Sequence, residues 1–451
     1  MVTPQHADVI ARLQSRWPEN RIAPGTARVQ ALCDLLGSPQ HSYPVIQIAG
    51  TNGKGSTAIM IDALLRALGL RTGRYSSPHL QDLTERICLD GEPMPTEDFD
   101  ALVADVQPLI ELVDQQAIDG VGMTFFEVMT GLAYAAFAQA PVDVAIVEVG
   151  LGGVTDATNV ADAQVAVICP IDFDHTHLLG DTLTKIATEK AGIIKNGANV
   201  VLAVQQPEAA RVLMQRCAEV GVKVFREGIE FGLIERTPAV GGQVLRLDAA
   251  DGPVGDLVLP LFGAHMAENA AVAVAAVEAF LGGRGLAPEV IAEGLAAVIA
   301  PARMEVVRRS PTVVLDTCHN PHGARATIAA MAEAFAFNPL IGIVAVMADK
   351  DVDGLLQIFE QEMSTIVVTQ VSSTSRGLPV DQLRARAAEI FGPDRVRVAA
   401  KMDDAIELAV ALADQGGPTA GVLIAGSVIA AGEARALLVR ADHGAAEEEW
   451  R

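Results

Sequence analysis

Residues 50–57 read Gly-Thr-Asn-Gly-Lys-Gly-Ser-Thr and follow a short apolar run at 45–49. Behind them Ile61, Leu64, Leu65 and Leu68 recur at helical spacing, and Gly69 stands where a helix would stop. Strand, glycine loop, Lys-x-Ser and helix is the order a phosphate cradle needs. The glycines let backbone N–H groups turn inward, the helix N-terminus adds positive potential, and Lys54 supplies a point charge for β- and γ-phosphates. The loop differs from the standard P-loop: two residues instead of four separate its first glycines, and Gly55 stands between Lys54 and Ser56. We read it as nucleotide binding rather than as an ordinary Gly-rich strand-to-helix turn.

A second group of acids and an imidazole follows. Glu148 ends an apolar stretch and precedes Val149-Gly150-Leu151-Gly152-Gly153, then Asp156-Ala157-Thr158-Asn159. The next apolar stretch leads to Asp172-Phe173-Asp174-His175, and Glu189-Lys190-Ala191-Gly192 lies beyond. Acids at the C-terminal ends of central strands lie where open α/β sheets take ligands. Oxygen donors plus one imidazole behind a phosphate loop suit a divalent ion such as Mg²⁺, which uses few protein ligands beside phosphate oxygens and water.

The elements that must position these residues are legible as a pattern. Aliphatic runs at 45–49, 142–149, 164–171, 313–316, 341–347, 365–371 and 422–425 alternate with Ala- and Leu-rich helical stretches. That is the signature of βαβ units with both sheet faces covered. Residues 244–247 and 256–259 flank a Gly/Pro/Asp turn and predict a small antiparallel patch. At 451 residues two cores are expected. Pro301 is expected to close a helical stretch near the break, giving domains 1–304 and 305–451. Only 4% of residues are aromatic, so the core must be aliphatic. A formal charge of -23 argues against a nucleic-acid binder. Five cysteines without a CxxC pair argue for reduced thiols, and no run reaches the roughly 20 apolar residues of a membrane span. A cytoplasmic protein with a frayed acidic end at 447–451 is expected.

Taken in order, several motifs carry a resemblance. They are Ala49-Gly50-Thr51-Asn52-Gly53-Lys54-Gly55-Ser56, Tyr75-Ser76-Ser77-Pro78-His79-Leu80, Glu85-Arg86 and Thr124-Phe125-Phe126-Glu127. Glu148-Val149-Gly150-Leu151-Gly152-Gly153, Asp174-His175, Glu189-Lys190-Ala191-Gly192 and Asp316-Thr317-Cys318-His319-Asn320-Pro321-His322 follow. Over nearly the whole chain, from about residue 21 to about 432, the sequence resembles the folylpolyglutamate synthase/dihydrofolate synthase family of the Mur ligase superfamily. The resemblance implies an α/β fold: a P-loop ATPase domain with a mainly parallel sheet, followed by a Rossmann-like glutamate ligase domain. It also implies ATP-dependent addition of L-glutamate to dihydropteroate or reduced folates through an acyl phosphate, by a monomer with no nucleic-acid or membrane partner.

Carried over by motif, Thr51, Asn52, Gly53, Lys54, Gly55 and Ser56 would hold the ATP phosphates, and Asn269 the adenine side. Ser76, Glu148 and His175 resemble the Mg²⁺ ligands, with Ser77 the second hydroxyl that the motif presents. Lys190 matches a lysine that the family carbamylates, which would support a second Mg²⁺; a plain surface lysine is the other reading. Arg303 matches an arginine for the γ-phosphate, and Asp316 an aspartate that orients nucleotide. His319 and Asn320 fall on the glutamate and acyl-phosphate side, or cap the following helix. Thr124, Phe125, Phe126 and Glu127 match the pterin-facing segment, with plain hydrophobic packing the other reading for Phe125 and Phe126, and Asp156 matches the substrate side. The family commonly has arginine where this chain has Val154, which bears on substrate preference. A single-activity folylpolyglutamate synthase and a P-loop binding protein without ligase turnover are the alternatives.

Overall fold

The computed structural model describes residues 3–18 and 23–439; the acidic end at 447–451 lies outside them. The chain forms two compact units, the first running to Pro260 and including Ala264–Ile299, the second made of Leu261–Gly263 and the chain from Ala300 onward. Arg303 therefore belongs to the second unit.

The first unit is built on eight strands: β1 Val45–Ala49, β2 Thr72–Tyr75, β3 Ile87–Leu89, β4 Glu92–Pro93, β5 Val144–Glu148, β6 Val165–Ile168, β7 Asn199–Leu202 and β8 Lys223–Arg226. Their order is β4-β3-β2-β5-β1-β6-β7-β8. β2 and β5 to β8 run parallel with β1, and β3 and β4 add an antiparallel edge. Every residue of β1, β5 and β6 is buried, which is why these strands read as nearly continuous aliphatic runs, broken by Gln47 in β1 and Glu148 at the end of β5. On one face, the helix Lys54–Ala67 packs on the helices Ala264–Phe280 and Pro288–Ala296. A Cβ on Gly294 would lie 2.8 Å from Leu64 Cδ2, so that contact requires glycine.

Register decides what meets at the rim of this sheet. Ile48 pairs with Glu148, Tyr75 with Val147 and Ala49 with Ile168. Ser76, Glu148, Gly50 and Cys169 thus follow one another across four adjacent strand ends. The chain leaves β1 toward β2 but passes from β5 across β1 to β6. That reversal opens a crevice at the carboxyl ends, the usual ligand position in open α/β sheets.

The predicted antiparallel patch is a three-stranded sheet, β9 Gly232–Ala239, β10 Gly242–Ala249 and β11 Gly252–Leu259, ordered β11-β10-β9. β9 escaped the sequence pattern because Glu235, Arg236 and Pro238 interrupt its apolar alternation. Helix Pro288–Ala296 also ends before Pro301. The chain leaves the helix at Ala297 and buries Val298 (3% exposed) while Ile299 stands 80% exposed, the alternation of extended backbone.

The second unit holds β12 Arg303–Arg309, β13 Thr312–Asp316, β14 Leu340–Val344, β15 Met363–Val368, β16 Val396–Val398 and β17 Gly421–Ala425. The order is β12-β13-β17-β14-β15-β16, parallel except for β12. Among the described residues, no helix is long and apolar enough to cross a membrane.

Candidate active site

The phosphate-type loop leaves β1 through Gly50 and enters the helix Lys54–Ala67 through Gly53. Gly50 has φ +151 and an ideal Cβ there would sit 2.6 Å from Cys169 Cβ; at Gly53, φ is +86 and the Cβ would sit 2.6 Å from Asn269 Oδ1. Two neighbours thus press on the loop: the residue after β6, and Asn269 in the second turn of its helix. The N–H groups of Thr51 and Asn52 donate to the Pro170 carbonyl at 2.9 and 3.4 Å. The Thr51 hydroxyl bridges to the Asp172 backbone at 3.0 Å. Both residues hold the loop against the end of β6 through these bonds. No side chain caps the helix at Gly53. The N–H groups of Lys54, Gly55 and Ser56, which have no intrahelical acceptor, are therefore those that an anion would meet. Lys54 Nζ donates to the Gly50 and Thr51 carbonyls at 3.2 Å each.

Lys190 comes to the same loop from the end of the helix Leu183–Lys190. It is 4% exposed, and its Nζ donates to the Gly50 carbonyl at 2.7 Å. Burial, joined by the charge of Lys54, pushes its pKa from 10.5 down to about 7; Asp174 and Asp156 oppose the shift. A surface lysine is excluded. The end of that helix also packs closely on Gly153, where a Cβ would strike the Glu189 carbonyl at 2.4 Å.

On the other side of β1, Glu148 is 5% exposed and accepts from the Ser77 N–H at 3.4 Å. Ser76 is held twice, its N–H donating to the Arg86 carbonyl at 3.0 Å and its Oγ accepting from Arg74 Nη1 at 3.0 Å. His175 adopts a left-handed backbone, φ +49, and its N–H donates to Asp174 Oδ1 at 2.8 Å. Among the described residues, no three His, Cys, Asp or Glu side chains gather as a metal cage. A hydroxyl, a carboxylate and an imidazole fit a hard cation that arrives with phosphate oxygens and keeps some water, as Mg²⁺ does.

Thr124 and Glu127 form a capping box at the start of the helix Phe125–Gln139. Glu127 also pairs with Arg28 Nη2 at 2.9 Å, both side chains being almost fully buried. We expect Arg28→Met to destabilise the first unit by about 3–5 kcal/mol, because Glu127 would keep a buried, unbalanced charge. Denaturant titration checks this, and adding Glu127→Gln should restore much of the loss. Phe125 lies beneath the Arg86 guanidinium, 5.1 Å from its ring centre. Phe126 is 5.9 Å from Tyr75 and fits against Gly150, where a Cβ would meet its Cζ at 2.4 Å. Asp156 is spent on its own loop, accepting from the N–H groups of Leu151 and Thr158 at 2.9 Å each. Val154 is 46% exposed.

In the second unit, Arg303 pairs across the β12–β13 ladder with Asp316. Asp316 is buried and accepts from Met304 N–H at 3.1 Å, Cys318 N–H at 2.8 Å and Thr327 Oγ1 at 2.9 Å. It thereby ties β12, β13 and the following helix together. Asn320 caps the helix Pro321–Ala334, accepting from Gly323 N–H at 2.8 Å. His319 Nδ1 lies 3.0 Å from the Thr317 carbonyl. Sequence reasoning did not single out Pro170, Arg28 or Arg74: the partners of Pro170 and Arg28 are distant in the chain, and the short β2, Thr-Gly-Arg-Tyr, carries no apolar run to mark Arg74.

Residues 302–428 match the Mur ligase glutamate ligase domain, and residues 111–277 the Mur ligase middle domain. The chain is 46% identical over 452 residues to a dihydrofolate synthase/folylpolyglutamate synthase of Mycobacterium tuberculosis, covering 95% of this chain and 93% of that one. It is 34% identical to the Bacillus subtilis protein of the same name, covering 75% of this chain and 79% of that one. The solved structure of the Mycobacterium tuberculosis folylpolyglutamate synthase complexed with ADP superimposes with a TM-score of 0.93 at 46% identity, covering 97% of this chain and 98% of that one. A structure described as an FPGS–AMPPCP–folate complex superimposes with a TM-score of 0.85 at 33% identity, covering 96% of this chain and 99% of that one.

Proposed function

This chain belongs to the folylpolyglutamate synthase/dihydrofolate synthase family of the Mur ligase superfamily and is an ATP-dependent ligase, and on that footing we propose that it joins L-glutamate to dihydropteroate and to reduced folates through an acyl phosphate. The observation that carries the reading is the meeting of a phosphate-type loop, the buried Lys190, and Ser76 and Glu148 at adjoining strand ends of one sheet.

The chemistry requires such a gathering. A carboxylate and an amine do not condense in water, so the carboxylate oxygen attacks the γ-phosphorus of ATP and ADP departs. The glutamate amine then adds to the acyl carbon, and phosphate leaves from the tetrahedral intermediate. Lys54 and the N–H groups at the helix start neutralise the phosphates and favour the charge that builds up in transfer. Mg²⁺, bound with ATP, would supply Lewis-acid neutralisation of the same oxygens, and Ser76, Glu148 and His175 are the residues that would hold it. Lys190, if carbamylated, becomes an anionic oxygen donor for a second ion. Phe125 and Phe126 would flank a flat pterin ring, and Asn269 would serve the adenine side. Arg303, Asp316 and His319 are the second unit's part of the same proposal, and a monomer working in the cytoplasm completes it. Relatives are named for both activities, and others, such as the Lacticaseibacillus casei protein, for folylpolyglutamate synthesis alone.

Product analysis tests the reading. With ATP, Mg²⁺ and glutamate, we expect dihydropteroate to yield dihydrofolate and tetrahydrofolate to gain glutamate. Phosphate release should need both the pterin acid and glutamate. When the acid carries ¹⁸O in its carboxylate, one label should appear in the phosphate. Phosphate release independent of both acids would overturn the ligase reading, and unlabelled phosphate would overturn the acyl phosphate.

A further inference from the structure

β2 presents Thr72 and Arg74 toward the same side of the sheet, because side chains alternate along a strand, and Ser76, just past its end, meets Arg74 there. Facing them is Asp62 on the helix Lys54–Ala67, with its side chain 2% exposed. Its carboxylate accepts from the Thr72 hydroxyl. The guanidinium of Arg74 is itself largely covered, 12% exposed, and each of its edges has a neighbour. Nε lies 3.9 Å from Asp62 Oδ2, too far for a hydrogen bond. Nη2 donates to Cys88 Sγ at 3.1 Å and Nη1 to Ser76 Oγ at 3.0 Å.

Cys88 is opposite Arg74 in the β2–β3 ladder, and burial raises its thiol pKa, so it remains a neutral acceptor. Its S–H donates to the Glu85 carbonyl at 3.4 Å. The bond to Cys88 thus holds one arm of the guanidinium, Asp62 lies beside its Nε, and the other arm reaches Ser76. From this arrangement we infer that Arg74 is a positioning residue, holding the Ser76 hydroxyl oxygen where it would serve a metal ion. A serine oxygen has two lone pairs. With one taken by Arg74 and the Ser76 N–H anchored on the Arg86 carbonyl, the hydroxyl oxygen is held in place and its other lone pair remains for a cation. Asp62, whose Oδ2 also accepts from Arg66 Nε at 3.4 Å, offsets part of the positive charge this places near a cation. The inference rests on the proposed reading of Ser76 as a metal ligand.

Mn²⁺ is the probe, titrated into the full chain saturated with AMPPCP and followed by electron paramagnetic resonance. Ser76→Ala and Arg74→Met should each weaken Mn²⁺ binding about tenfold, the low end for a lost hydrogen bond from a charged donor. The double variant should be no weaker than Ser76→Ala, since Arg74 acts through that hydroxyl. Arg74→Lys, which keeps the charge but lacks the planar fork, should fall between. Metal-free AMPPCP affinity should stay within about twofold, as neither group meets the nucleotide directly. If Arg74→Met does not fold, Arg74→Lys carries the same cycle. Additive effects overturn the inference while leaving Ser76 a ligand, and so does a lower Tm with unmoved or tighter Mn²⁺ binding. Unchanged Mn²⁺ binding in Ser76→Ala alone removes Ser76 from the metal set, and this inference with it.

Discussion

Lys54→Ala is expected to lower kcat roughly 10²–10³-fold, the range for removing one preorganised charge from a developing anion. The fold should remain, because Lys54 stands at the first helical position and alanine is a good helix former there. Among the described residues its Nζ bonds to the Gly50 and Thr51 carbonyls alone, and the backbone bonds of Thr51 and Asn52 to Pro170 also restrain that loop. Steady-state kinetics with circular dichroism on the same sample checks both halves. A variant turning over at the normal rate would remove the phosphate-loop assignment. A variant that loses its helical signal would show that Lys54 supports the loop rather than the reaction.

The second large effect concerns Lys190. Its amine is buried against a neutral carbonyl beside another cation, and its pKa lies near 7. CO₂ adds to the neutral amine, giving a carbamate and releasing one proton. Above pH 7 the neutral form dominates, so the carbamylated fraction should rise with pH and with bicarbonate. We expect ¹³C-bicarbonate to give one carbamate resonance that is absent in Lys190→Met, and kcat in that variant to fall about 10²-fold or more. No resonance together with unchanged activity would exclude the modification. Linkage supplies a second sign. Between pH 7 and 10.5 the folded chain binds fewer protons at this site than the unfolded chain. The contribution of the unmodified amine to stability therefore rises across that window, and its full cost is present below pH 7.

The contrast between Lys54 and Glu127 shows where sequence reading works. Lys54 lies within a local pattern: an apolar strand, two glycines and a helix whose spacing of Ile61, Leu64 and Leu65 is visible in one window. Every part of that unit is within about one helix length, so residue order alone carries it. Glu127 belongs to a motif matched with a pterin-facing role, yet its carboxylate closes a capping box and pairs with Arg28, 99 residues away. Asp156 similarly serves its own loop. A motif states which residue types stand together but not which of their atoms are already engaged.

What the chain's order determined by itself is the set of elements and their chemistry. Alternating aliphatic runs demand a parallel sheet covered on both faces, and the glycine loop demands an anion. Only the tertiary structure decided that Ser76, Glu148, Gly50 and Cys169 stand at neighbouring strand ends, since strand order and register are set by long-range packing. Only it buried Lys190 against Gly50, 140 residues earlier. The reason is electrostatic as well as geometric. A lysine's pKa and a serine's orientation depend on the dielectric and the partners around them, and those come from segments that sequence proximity does not join.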